Sequence, residues 1–144
     1  MDRITKERRS WNMSKIRSKN TFPERLLFKL LKKSGYKFKK HSSLPGKPDV
    51  VFTDVKLAVF IDGEFWHGRN FNQWENKLSI FWLKKISGNI SRDRKTARLL
   101  RKKGWKIIRI WDKKLLKSPE NAILRICRAI KKIQTKDTAL FTFV

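Results

Sequence analysis

Acidic side chains are scarce in this sequence, and two of them end up beside each other if neighbouring strands pair as predicted. Of the 144 residues, only 12 are Asp or Glu. Asp49 follows Pro48 and opens a Val- and Phe-rich run, and Asp62 ends the next such run, before Gly63 and Glu64. If the two runs form a hairpin, Asp49 and Asp62 lie at one end of the sheet. Such a carboxylate pair could bind Mg²⁺ together with phosphate oxygens and water. The structural alternative is that Asp49 caps a turn and Asp62 flanks a bulge.

A histidine five residues beyond Asp62 is the candidate general base. Near a metal-bound phosphodiester, the neutral imidazole of His67 could take a proton from an attacking water. It would need a partner that fixes its tautomer, and Asp93 is the one acid within a long predicted helix, between Arg92 and Arg94. The alternatives are a solvated surface histidine and an aspartate that pairs only with its neighbouring arginines.

A third isolated acid, Glu24, has a local explanation. Thr21 can cap a helix, Pro23 suits its first turn, and Glu24 completes a capping box. This structural role is the stronger interpretation of Glu24 from spacing alone.

Alternating helices and strands must position these side chains. The hydrophobic spacing predicts helices over residues 21–35, 79–103 and from Pro119 to about 133. It predicts strands over residues 36–40, 49–52, 57–61 and 105–111, and an irregular exposed loop over 64–79. This order predicts an α/β fold, a three-layer sandwich with a central mixed β-sheet flanked by helices. We divide the chain into a basic N-terminal DNA-contacting arm (1–20), a folded domain (21–133) and a C-terminal tail (134–144).

The charge balance indicates the kind of partner. Lys and Arg number 37, so the net charge is +25, which attracts polyanions strongly. No apolar run approaches the ~18 residues of a membrane-spanning helix, and the first residues lack the apolar segment of a secretory signal. Six Trp and ten Phe argue against disorder, and the single cysteine, Cys127, excludes an internal disulfide. We therefore expect a compact cytoplasmic domain that binds nucleic acid and no membrane.

Aromatic and basic side chains could contact DNA directly. Three aromatic residues beside the basic surface could wedge between base steps: Phe65, Trp66 and Trp82. The alternative is that they cover the edge of the sheet. A run of charges is usually a solvated face, but the net charge favours phosphate contacts. The candidates for these contacts are Lys85 and Arg92 in the long helix and Arg17 and Lys19 in the arm.

Six short blocks occur in order between residues 8 and 130. They are RSWNMSKIRSKNTFPE (9–24), LPGKPD (44–49), GEFWH (63–67), FWLKK (81–85), NISRD (89–93) and GWKIIRIW (104–111). Each block alone is weak, but together they resemble the signature of the very short patch repair (Vsr) DNA mismatch endonucleases.

The resemblance implies a restriction-endonuclease-like fold of the PD-(D/E)XK type and a Mg²⁺-dependent nick in one DNA strand, at or beside T:G mismatches. By matching motif, Asp49 is the metal-binding aspartate, His67 the general base and Asp93 the carboxylate that orients it. Glu24 matches a helical glutamate near the active site. The family's DNA-wedging aromatic residues correspond to Phe65, Trp66 and Trp82.

The resemblance also implies partners and a location. Double-stranded DNA is the expected substrate, and the partners in the cell are mismatch-repair proteins or a companion cytosine methyltransferase. We expect a monomer that is cytoplasmic and associated with the nucleoid through DNA.

Two departures from the family pattern affect these expectations. Well-known members hold a structural zinc around the Phe-Trp-His block, where this chain has Glu64, Gly68 and Arg69. We therefore predict no zinc site, with the loop held by packing. Those members also have a histidine at the position of Asp62, which we predict to supplement Asp49 at the Mg²⁺, directly or through water, with Glu64 as a further candidate. Both departures lie in the mismatch-sensing loop, so they weigh more against T:G specificity than against hydrolysis.

Two other functions stay open on the sequence. One is a restriction or homing-type endonuclease that uses the same core on matched sites. The other is a non-catalytic DNA-binding module, against which the joint presence of Glu24, Asp49, His67 and Asp93 argues.

Overall fold

The computed structural model describes residues 21–142, with the backbone alone for residues 138–142. The predicted N-terminal arm, including Arg17 and Lys19, lies outside the described residues. The helices are α1 (Phe22–Ser34), α2 (Phe71–Trp74), α3 (Ile80–Lys102), α4 (Asp112–Lys117) and α5 (Pro119–Thr142). The strands are β1 (Lys39–Lys40), β2 (Val50–Phe52), β3 (Leu57–Asp62) and β4 (Lys106–Trp111). Single 3₁₀ turns occupy Thr53–Val55 and Glu75–Lys77.

The four strands form one mixed sheet in the order β1-β2-β3-β4. The pairs β1–β2 and β2–β3 are antiparallel, and β3 is parallel to β4. A parallel neighbour requires a crossover connection, which α3 supplies. The register places Phe60 beside Arg109 and Asp62 beside Trp111. The end of β3 that carries Asp62 therefore meets a basic side chain from β4.

Helices cover both faces of this sheet, as predicted. One face packs against α1, α4 and α5 through a core that includes Leu27, Leu57, Leu115 and Ile126, all fully buried. The other face packs against the end of α3 through Ala58, Phe60 and Leu100, among other residues. Strands buried on both faces read as continuous apolar runs rather than alternating ones, which explains the Val- and Phe-rich sequence of β2 and β3.

The structure corrects several predicted boundaries. Strand β1 has only two residues, because it lies at the edge of the sheet and pairs only with β2. The segment 64–79 is not a wholly irregular, exposed loop, since it contains α2 and much of it is half-buried. Helix α4 was not predicted, and α5 continues to Thr142, so residue 133 is not a helix end. Within residues 21–142, no helix combines the length and apolarity that crossing a membrane requires.

Candidate active site

Asp49 is held by the hairpin that the sequence predicted. Its backbone N–H donates to the carbonyl of Val59 at 3.0 Å, next to the antiparallel pairing of Val50 with Val59. Its side chain turns toward the end of β3, where Oδ2 accepts a hydrogen bond from the Ile61 N–H at 2.7 Å. The hairpin thus fixes the carboxylate through both its backbone and its side chain.

Glu24 combines the capping role with a contact in the site. Its Oε2 accepts a hydrogen bond from the Thr21 N–H at 3.2 Å, which caps α1. The side chain is buried and also hydrogen-bonds the Asp49 carboxyl. The pKa of Asp49 is raised to about 7, mainly by burial; the Ile61 hydrogen bond opposes this rise, and the hydrogen bond and charge of Glu24 and the charge of Asp62 add to it.

Asp62 is buried at the end of β3 and is paired with an arginine that the sequence analysis did not single out. The Nη1 of Arg109 lies 3.1 Å from Oδ1 and 3.0 Å from Oδ2 of Asp62. The guanidinium also stacks over the Phe60 ring, 4.2 Å from its centroid. Burial raises the pKa of Asp62, although the positive charges of His67 and Arg109 oppose that rise.

His67 and Asp93 form the predicted dyad. Nδ1 of His67 lies 2.6 Å from Oδ2 of Asp93 and 3.8 Å from Oδ1 of Asp62. Because an ionised carboxylate only accepts, Nδ1 donates, and Nε2 carries no proton in the neutral ring. Burial lowers the pKa of His67, but the hydrogen bond to Asp93 and the charges of Asp62 and Asp93 outweigh this, so the pKa is raised overall. A turn places the ring, with the His67 N–H donating to the Gly63 carbonyl at 3.0 Å.

Close packing of α3 brings Asp93 to this histidine. Gly68 has a φ of +69°, and a Cβ there would lie 2.4 Å from Cδ1 of Ile90 on α3. A Cβ on Gly46 would lie 2.3 Å from Cγ2 of Thr96, also on α3. The Asn89 side-chain amide donates to the Trp66 carbonyl at 2.8 Å. Gly68 and the Asn89 hydrogen bond therefore fix the loop after β3 against the helix, and Gly46 allows the same close approach for the loop before β2.

Two adjoining clefts meet at the dyad. One has a volume of about 380 Å³ and is lined by Glu24, Asp49, Asp62 and His67, among others. The other has a volume of about 500 Å³ and shares Asp62 and His67 with the first. Its remaining charged lining residues are Asp93, Arg94, Arg98, Arg101 and Arg109. An acidic cleft thus opens beside a basic one, as a site for a cation and a polyanion would require.

The predicted DNA-contacting aromatic residues form one interlocked cluster. Phe65 is 40% exposed and lies 5.4 Å from the Trp66 and Trp82 ring centroids. It also stacks on Trp74 at 5.6 Å with an interplanar angle of 20°. Trp74 was not predicted, because nothing in its spacing distinguishes it from a covering residue. The cluster leaves Phe65 at its exposed side.

An ion pair holds the loop that carries this cluster. Nη1 of Arg69 donates to Oε1 of Glu64 at 2.6 Å, and the guanidinium lies 5.6 Å from the centroid of the Trp111 ring. The Arg69 carbonyl accepts a hydrogen bond from Nε1 of Trp74 at 2.8 Å. These contacts join the loop, the aromatic cluster and the end of β4, so ionic contacts add to the predicted packing.

Comparisons with known proteins point to one family. The family model for the DNA mismatch endonuclease Vsr matches residues 1–73. A type II nicking enzyme, V.HpaIIP of Haemophilus parainfluenzae, is 42% identical over 135 residues, which cover 90% of this chain and 96% of the relative.

The chain belongs to the Vsr family. The DNA mismatch endonuclease Vsr of Escherichia coli is 34% identical over 110 residues, which cover 74% of this chain and 70% of that enzyme. Another relative is the type II nicking enzyme V.NmeDIP of Neisseria meningitidis serogroup C, 36% identical over 147 residues, 95% of this chain and 99% of the relative. As predicted, this Vsr-family chain is a DNA endonuclease.

The donor set fits a divalent cation. Asp49, Glu24 and Asp62 line one cleft, where burial and, to a smaller extent, the two neighbouring acids raise the pKa of Asp49. Carboxylate oxygens are the ligands that Mg²⁺ prefers, and a bound cation would offset the crowding of these acids. Ligand atoms of Asp62, His67 and Asp93 also lie within 4.8 Å of one another, but in that group Asp62 is already paired with Arg109. We therefore favour the cleft that holds Asp49 as the place where a divalent cation would bind.

Two of the predicted phosphate contacts lie on α3. Lys85 and Arg92 are exposed there, as a solvated or DNA-facing side chain would be, but neither lines the clefts. The cleft arginines of α3 are instead Arg94, Arg98 and Arg101.

Proposed function

We propose that this Vsr-family endonuclease nicks one strand of double-stranded DNA at or beside T:G mismatches and requires Mg²⁺. The observation that carries the proposal is the 2.6 Å contact between His67 Nδ1 and Asp93 Oδ2 at the rim of the cleft that holds Asp49. A charge-assisted hydrogen bond of this length orients an imidazole as a base. The order of strands and helices supports a restriction-endonuclease-like core of the PD-(D/E)XK type.

In the proposed mechanism, His67 activates the attacking water. Nε2 accepts the proton of the water, and the Asp93 carboxylate stabilises the resulting imidazolium through Nδ1. Asp49 is the proposed principal Mg²⁺ ligand, with Glu24 adjusting its protonation through their shared hydrogen bond. A bound divalent ion would stabilise negative charge on the phosphate and on the leaving oxygen.

Asp62 is the proposed second carboxylate at the Mg²⁺. Arg109 contacts both of its oxygens, which favours the indirect form of this role, through a water molecule. Glu64 is a weaker candidate, because Arg69 engages its Oε1 at 2.6 Å.

DNA binding is proposed to use the aromatic cluster and the basic residues around the second cleft. The exposed Phe65, backed by Trp66 and Trp82, has the surface to wedge between base steps. Lys85 and Arg92 would contact the phosphate backbone, as would Arg17 and Lys19 in the arm. We further propose that the protein is a monomer without structural zinc, located in the cytoplasm on the nucleoid. Its proposed partners are mismatch-repair proteins or a companion cytosine methyltransferase.

A nicking assay tests the specificity and the metal requirement. Duplexes that differ only in one T:G or matched pair within a randomised context are incubated with and without Mg²⁺, and nicks are read by sequencing. We expect nicks beside T:G only, with none in the presence of a chelator. Equal nicking of matched duplexes would instead favour a restriction-type enzyme.

Substituting the two histidines separately tests whether the dyad is catalytic. We expect His67→Asn to lower kcat by about 10³-fold, within the usual contribution of a general base. The Kd for DNA should stay nearly unchanged, because phosphate contacts supply most of the affinity. His41→Asn is the matched control, since this histidine lies edge-on to Phe28 and its φ of +50° suits asparagine. Equal nicking by both variants would leave His67 without a catalytic role.

A further inference from the structure

The nitrogen of His67 that donates to Asp93 has two carboxylates within reach. Nδ1 lies 2.6 Å from Asp93 and 3.8 Å from Asp62. Asp62 is the more buried of the two, so an unpaired charge there would attract the imidazole N–H strongly. The imidazole has the orientation seen in the structure only when Nδ1 donates to Asp93 and not to Asp62.

Arg109 occupies the competing carboxylate. Its Nη1 contacts both Asp62 oxygens, at 3.1 and 3.0 Å, and lies 3.9 Å from Oδ1 of Asp93. The backbone register with Phe60 and the stacking on its ring fix the guanidinium in place. Arg125 holds the same strand from outside by donating Nη1 to the Arg109 carbonyl at 2.9 Å.

We propose that Arg109 is a positioning residue, which engages Asp62 so that the His67 imidazole pairs with Asp93 alone. This proposal rests on the proposed role of His67 as general base. Arg109 acts through Asp62 and needs no contact with DNA, which separates it from a phosphate-binding arginine. A lysine would not reproduce it fully, because an ammonium lacks the planar group that stacks on Phe60 while contacting a carboxylate.

Imidazole nitrogen NMR on the protein without metal or DNA tests the proposal independently of nicking. The spectra are taken well above the pKa of His67, and the His67→Asn spectrum assigns its signals against those of His41. In the wild type we expect one ring environment with Nδ1 protonated and its proton shifted far downfield. Arg109→Met should shift or split these signals, because Asp62 then competes for the N–H. The double variant Asp62→Ala/Arg109→Met should restore the wild-type pattern.

Two results would overturn the proposal. One is a wild-type His67 spectrum in Arg109→Met. The other is a double variant that keeps the altered spectrum, which would mean that Arg109 does not act through Asp62. Arg125→Met is the matched control, since it removes an arginine contact to the same strand and should leave the ring signals unchanged. If Arg109→Met does not fold, Arg109→Lys preserves one positive charge and should give a smaller change of the same kind.

Steady-state nicking kinetics add a second readout. We expect Arg109→Met to lower kcat by roughly 10–100-fold with little change in KM, as for a misplaced catalytic group. A raised KM with an unchanged kcat would overturn the proposal and assign Arg109 to the phosphate backbone.

Discussion

Asp49 lies in an environment that is unfavourable to its negative charge. Burial and two nearby acids disfavour its charged form, and its pKa is about 7 instead of 3.8. In the folded protein it therefore binds a proton at pH values where the unfolded chain does not. The resulting stability is fully present below pH 3.8 and is lost as the pH rises through 7.

Asp49→Asn removes this titration, because an amide mimics the protonated acid and can still accept the Ile61 hydrogen bond. In metal-free protein, we expect the wild type to lose stability from pH 5 to pH 8 and the variant to keep it. The difference in the free energy of unfolding should therefore change in favour of the variant by about 2 kcal/mol. Thermal unfolding at both pH values measures it. Asp54→Asn is the control, because Asp54 is exposed and should show no such difference.

Mg²⁺ at pH 8 should raise the Tm of the wild type and not that of Asp49→Asn. An equal rise in both proteins would contradict the role of Asp49 as a Mg²⁺ ligand.

Chemistry made part of the site predictable at the residue scale. His67 and Asp93 are 26 residues apart. The pair was still predictable, because a histidine that acts as a base needs a carboxylate to orient it and the sequence contains few acids. Arg109 could not be found in this way. It lies within an apolar strand pattern, and its contact with Asp62 depends on the parallel pairing of β3 with β4 across 47 residues. Such long-range registers are not encoded in local spacing.

At the scale of elements, the approach of α3 to the loop after β3 decides the geometry of the dyad. Gly68 is the closest point, since a Cβ there would lie 2.4 Å from Ile90 Cδ1 and 3.2 Å from Ile86 Cγ2. Its neighbour in the chain is His67, so any displacement of the loop moves the imidazole relative to Asp93.

Gly68→Ala should therefore reduce activity more than stability. We expect kcat to fall by roughly 10²-fold, as for a displacement of about 1 Å in a catalytic group. Two control variants separate the loss of close packing from backbone strain and from a substitution in α3. Gly35→Ala introduces an alanine at a φ of +82° with no atom within 4 Å, and Gly88→Ala introduces one in α3 with equally open space. Both should nick DNA at the wild-type rate, and Gly88→Ala should also gain about 0.5–1 kcal/mol of stability. A fully active Gly68→Ala variant would show that the loop tolerates the displacement.

The elements themselves were predictable where the pattern is long. Helix α1 has a capping residue, a proline and a terminal glycine, and its predicted limits agree closely with the structure. Helix α4 has six residues, too few for a 3.6-residue period to be distinguished. Helix α5 continues beyond Ile133, although the next residues, 134–138, are polar. Once a helix has formed, further residues can extend it into solvent without an apolar stripe.

Over the whole molecule, the basic side chains are not equivalent. Arg94, Arg98 and Arg101 line the cleft beside the dyad. Lys29, Lys32 and Lys33 are exposed toward the other end of α1, roughly 8–14 Å along the helix from Glu24 at about 1.5 Å per residue. Net charge alone attracts DNA to both regions, but if the cleft is the DNA-binding surface, the counterions released on binding come from the phosphates that contact its arginines.

Replacing the three cleft arginines by methionine tests whether this basic cleft is the DNA-binding surface. Each lost phosphate contact should reduce the slope of log K against log salt by about 0.9, so the triple variant should bind with a slope less steep by about 3. The matched control replaces Lys29, Lys32 and Lys33 by methionine, which removes the same net charge at the far side of α1. Fluorescence anisotropy with one duplex over a salt series measures both slopes. Equal changes in the two variants would mean that DNA responds to the overall charge of the protein and that the cleft does not direct it.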